Sequence, residues 1–124
     1  GAGVGNAVKD YGPAFREFHR EMARRPGLRP AAWGLDETSR AGLYYFGGDA
    51  AWPALTDSAE VRAVLEGRHP RYNAVIAYRK TGKTEPVETL APAGAEILAV
   101  RRMGRDRELR LAVPPAVPQT QKEP

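Results

Sequence analysis

The sequence predicts an α/β fold: a three-layer α/β/α-like sandwich whose mixed, mostly parallel sheet ends in an antiparallel hairpin, with about three helices. Three observations carry this. Amphipathic helical segments alternate with short apolar runs, the pattern of parallel crossovers. The run Tyr72-Asn73-Ala74-Val75-Ile76-Ala77-Tyr78 is apolar on both faces, as in a central strand covered on two sides. Two strand-like segments near the end, 96–103 and 108–113, are separated by a short link that holds Gly104-Arg105-Asp106, the spacing of a hairpin.

The elements follow in order. Residues 1–7 are small and read as a linker or a scar, and the start looks like the cut end of a longer chain. Asp10 is placed to cap a helix from about Tyr11, with Pro13 in its first turn. Tyr11, Phe15, Phe18 and Met22 recur at spacings of four, three and four, one apolar stripe. Pro26-Gly27 stops that helix. Ala31-Ala32-Trp33-Gly34-Leu35 reads as a buried strand. Asp36 then caps a second helix ending at Gly47-Gly48. A short strand is expected at 52–55. Asp57 caps a third helix, with Glu60 in capping-box position and Val61, Val64 and Leu65 as its buried face. Gly67 ends it. One domain therefore spans 8–113. The four prolines of 114–124 make a tail expected to be disordered.

Composition sets limits on function. The chain has 124 residues, enough for one core without staples. It has no cysteine, which excludes disulfides and thiolate metal sites. No run approaches the ~20 apolar residues of a spanning helix. The net charge of +4 permits attraction to phosphates or anionic lipid. The basic residues are scattered among acids, so a solvated surface is expected and no nucleic-acid site.

Motif-like patterns mostly resolve into structure. Gly1, Gly3 and Gly5 lack the preceding strand that a dinucleotide site requires. Gly82-Lys83-Thr84 resembles the end of a phosphate loop, but Ala77 stands where its first glycine belongs. A turn accounts for it. His19 and His69 have no partner at metal-ligand spacing. Ser39 and Ser58 fall in first helical turns with no nucleophile elbow. No catalytic residue, metal site or cofactor is therefore assigned. The remaining cluster is Asp36, Glu37 and Arg40, just past a strand's carboxyl end, where open sheets place ligands. Its carboxylates could serve as acid and base. A capped helix start with a Glu37–Arg40 or Asp36–Arg40 ion pair is the simpler explanation. Tyr45, with Tyr44 and Phe46, could stack on a sugar, or could pack in the core. Asp36, Glu37, Arg40 and Tyr45 are thus the candidate substrate-binding residues.

The segment Trp33 to Gly48, WGLDETSRAGLYYFGG, is followed by Trp52-Pro53-Ala54-Leu55, the helix SAEVRAVLEG, the strand YNAVIAY and a closing strand ELRLAV. This series resembles the soluble C-terminal region of bacterial membrane glycosyltransferases similar to aminoarabinose transferase and the protein O-mannosyltransferases. Tyr45-Phe46-Gly47-Gly48 departs from their Phe-Tyr-x-Gly by inverting the aromatics. The resemblance covers roughly residues 7–113. It implies a polytopic parent using a polyprenyl-phosphate sugar donor, with its catalytic carboxylate in a membrane-portion loop that no segment here matches. It implies a non-catalytic domain on the extracytoplasmic, periplasmic face. The implied partners are the transmembrane portion of the same polypeptide and a polyprenyl-phosphate sugar or anionic lipid. The alternative is a free-standing ligand- or protein-binding module of flavodoxin-like shape.

Overall fold

The computed structural model describes residues 2–34 and 52–116. Helix α1 (Ala2–Ala23) leads into strand β1 (Pro30–Trp33). Helix α2 (Ser58–Leu65), strand β2 (Ala74–Lys80), a 3-10 turn at Val87–Leu90, and strands β3 (Glu96–Met103) and β4 (Arg107–Val113) follow. The fold is mixed α/β, with a four-stranded sheet ordered β1-β2-β4-β3.

α1 begins at Ala2, so Asp10 is inside the helix and does not cap it. Pro13 is also interior, where it has no N–H to give the preceding turn. The glycines that suggest a linker cost a helix only about 1 kcal/mol each against alanine, which weakens helical preference without forbidding it. The expected stripe holds where side chains are described: Phe15 and Phe18 are fully buried and Met22 packs beside them.

β1 and β2 pair in parallel, Pro30 opposite Ala74 and Trp33 opposite Ala77. The expected strand at 52–55 is reduced to one parallel bridge, Ala32 to Ala54. It is held by Ala32 N–H to the Pro53 carbonyl (2.7 Å) and Leu55 N–H to the Ala32 carbonyl (2.8 Å). α2 forms as the sequence specifies. Asp57 accepts from the Ala59 N–H at 2.9 Å, and Val61, Val64 and Leu65 are buried. Gly67 (φ +76°) closes it with paired bonds, Gly67 N–H to Val64 and Arg68 N–H to Ala63.

The sheet is not mostly parallel. β2 pairs antiparallel with β4, and β4 antiparallel with β3. The reason is burial. The expected hairpin forms, but its second strand is the one buried on both faces: Leu109, Leu111 and Val113 on one, Glu108 and Ala112 on the other. β3 is exposed at Glu96, Val100, Arg101 and Arg102, which suits an edge. β4 therefore takes the central place beside β2.

Two cores lie on opposite sheet faces. Ala14, Phe15 and Phe18 of α1 meet Ala74, Ile76, Tyr78, Met103, Leu109, Leu111 and Val113. Val61, Val64 and Leu65 of α2 meet Ala31, Val75, Ala77 and Ala112, with Val87 from the 3-10 turn. The described residues include two α-helices, and the helix expected from Asp36 lies outside them. So do residues 117–124 of the expected tail.

Candidate functional site: the charged end of the sheet

Asp36, Glu37, Arg40 and Tyr45 all lie outside the described residues, as does Ser39. The structure does fix where the chain departs toward them. β1 ends at Trp33, opposite Ala77, and Gly34 turns away with φ +84°. A Cβ on Gly34 would stand 2.5 Å from the Tyr78 carbonyl oxygen, so only glycine fits this approach without a backbone shift. The departure is from the carboxyl end of the parallel pair.

Beside that end, β2 and β4 continue into charge. On the α2 face the cross-strand rows run from apolar to ionic. Val75 opposes Ala112, Ala77 opposes Arg110, and Arg79 opposes Glu108. β3 adds Val100 opposite Arg110 and Arg102 opposite Glu108. The Glu108 side chain is 5% exposed and accepts from Arg79 Nε at 2.7 Å and from Arg110 Nε. Arg110 also reaches Glu88 of the 3-10 turn at 2.8 Å, and Arg79 donates to the Thr84 carbonyl at 2.8 Å. Burial pushes the Glu108 carboxyl up, but hydrogen bonds from Arg110 and Arg79 outweigh it and leave the group below its ordinary range. The bond to Glu108 in turn holds the Arg110 guanidinium above its usual value, against burial. A carboxylate held ionised between two guanidinium groups is a poor proton acceptor. This network ties the 3-10 turn and the loop after β2 to the sheet.

The other groups noted in the sequence are similarly committed. Lys83 and Thr84 both direct their N–H groups to the Lys80 carbonyl, at 3.2 and 3.1 Å, so Gly82-Lys83-Thr84 is a turn after β2. The His69 Nδ1 atom accepts from the backbone N–H groups of Arg71 (3.1 Å) and Tyr72 (3.2 Å). That assigns the proton to Nε2, which faces Glu60 Oε2 at 3.4 Å. The Nδ1 lone pair thereby caps a turn and is not offered to a substrate. Glu60, expected in a capping box, is placed toward His69. His19 stacks on Trp52, ring centroids 4.7 Å apart, and burial lowers its basicity. Its buried Nε2 has no partner among the described residues. Among those residues no group of three His, Asp or Glu side chains could hold a metal.

Residues to which the sequence alone assigns no role matter here. Asn73 accepts from the Arg29 N–H (2.6 Å) and donates to the Gly27 carbonyl (3.1 Å), pinning the entry of β1 to the entry of β2. On the α1 side, Arg101 of β3 pairs with Glu17, and Arg24 pairs with the nearly buried Glu21. The hydrogen bond from Arg24 keeps Glu21 below its ordinary range, against burial. An open depression of about 470 Å³ lies there, lined by Glu17, Arg20, Ala23, Arg24 and Arg101. Family models, curated proteins and solved structures offer no match to the chain.

Proposed function

We propose that this chain is a non-catalytic, extracytoplasmic domain of a polytopic glycosyltransferase that uses a polyprenyl-phosphate sugar donor. What supports the reading is the order of elements. α1, β1, the Ala54 bridge, α2 and β2 come in the order that the resemblance over roughly 7–113 implies, its helix after Asp36 lying outside the described residues. On this reading residues 36–46 form a third helix and complete a three-layer α/β/α arrangement. The buried Glu108 and its arginines brace the domain, and its partner is the membrane portion of the same polypeptide. No helix among the described residues is long and apolar enough to cross a membrane. A binding module of flavodoxin-like shape is the second reading. It is favoured by the departure of the chain, at Gly34, from the carboxyl end of the parallel pair toward Asp36.

An antibody against this segment, applied to fractionated cells of the source organism, separates the two. The glycosyltransferase reading expects a much larger product in the membrane fraction. A free product of about the 13.5 kDa of this chain would overturn it.

A further inference from the structure

The outer side of α1 and the turn that closes it present arginine in a row. Arg16, Arg20 and Arg24 follow at intervals of four, and all three are exposed. Such spacing places them on one helical face, over roughly 12 Å of axis. Arg25, at the end of the row, and Arg101, across the depression from Arg20 and Arg24, bring further charge. Arg20, Arg24, Arg25 and Arg101 alone outnumber the two carboxylates among them, Glu17 and Glu21, and both carboxylates are already ion-paired to members of the set. The surface keeps a net positive charge that no described element covers.

We propose that this face of α1, together with Arg101, docks the domain onto an anionic phospholipid bilayer. Three features favour a bilayer over other polyanions. Arg16, Arg20 and Arg24 follow one helical line, so they meet a plane together. The helix spends its apolar side on the core through Phe15 and Phe18, so attachment is by charge at the headgroup level, without insertion. Among the described residues no exposed aromatic side chain lies on this face, so they offer no stacking platform of the kind that single-stranded nucleic acid uses. The depression of about 470 Å³ gives a headgroup phosphate room between Arg20, Arg24 and Arg101. The inference deepens the membrane-associated reading and rests on it for the presence of a bilayer in the cell. The binding itself follows from the charges.

The chain buries its own core on both sheet faces, so it can be tested as it stands. Co-sedimentation with vesicles of phosphatidylglycerol and phosphatidylcholine is expected to retain it at low salt. Vesicles of phosphatidylcholine alone should not, and physiological salt should weaken binding markedly. The double variant Arg16→Gln, Arg20→Gln is expected to lose roughly 10- to 30-fold in partitioning, at about 1 kcal/mol per basic group near the surface. Arg62→Gln with Arg68→Gln removes the same charge from the α2 side and is expected to change it by less than about threefold. Equal losses from the two pairs would overturn the proposal, as would equal binding to neutral vesicles. So would binding of single-stranded RNA with no binding to anionic vesicles. Circular dichroism of each variant separates lost binding from lost fold. Failure here leaves the size and fractionation of the natural product, and hence the glycosyltransferase reading, untouched.

Discussion

Glu108 is an ionised group 5% exposed, acceptable in the sheet only because Arg79 and Arg110 both bond it. Glu108→Gln keeps the shape and removes the charge, leaving two partly buried cations without their counter-ion. We expect a loss of about 2–4 kcal/mol, read from urea unfolding. Because its folded pKa is depressed, the stability Glu108 contributes is present above its ordinary value of 4.5 and is lost as pH falls through the folded value. The variant should therefore lose less stability on acidification than the parent. His19 acts in the same direction at higher pH. Burial disfavours its charged form, so below its ordinary value of 6.5 the unfolded chain takes up the proton first and stability falls. His19→Phe, which keeps a ring against Trp52, should flatten this part of the profile in thermal melts between pH 7.5 and 5. A steeper profile in the variant would refute the assignment. These ion pairs were not legible in the sequence. Arg79 and Glu108 become neighbours only through the β2–β4 register, and nothing local to either residue announces it. Asp57 and Gly67 were legible because caps act on their own helix.

Among the elements, the entry to β1 depends on one side chain. Asn73→Ala removes both of its side-chain bonds to the 27–29 segment and should cost about 1–3 kcal/mol. Amide exchange should quicken in β1 more than in β4. A uniform change across the sheet would argue against so local a role. At the other end, Gly34→Ala brings a Cβ against the Tyr78 carbonyl at a positive φ and should destabilise by more than about 1 kcal/mol, checked by the same unfolding titration. The hairpin of β3 and β4 was readable from its own turn and alternation. Strand order was not. Both hairpin strands are apolar enough to sit beside β2, and the choice is made by which can be buried on two faces. β3 is marked as the edge by Arg101, Arg102 and a register irregularity between Ile97 and Ala99, devices that discourage pairing with another chain.

For the molecule as a whole, the candidate site named from the sequence and the charged surface seen in the structure rest on different residues. Asp36 to Arg40 lie outside the described residues, whereas the arginine row on α1 emerges only once Phe15 and Phe18 fix which side of the helix faces inward. The sheet's connectivity also bears on how the chain reaches this arrangement. Met103 meets Arg107 across a tight turn, while Pro30 must wait for Ala74. Closing the short loop costs little entropy and closing the long one costs more, so the C-terminal half is expected to assemble first and to recruit β1 last. Pulse-labelled amide exchange during refolding should then protect β3 and β4 before Ala31 and Ala32. The N-terminal third would dock onto a scaffold already made by the end of the chain, against the direction in which a ribosome delivers it.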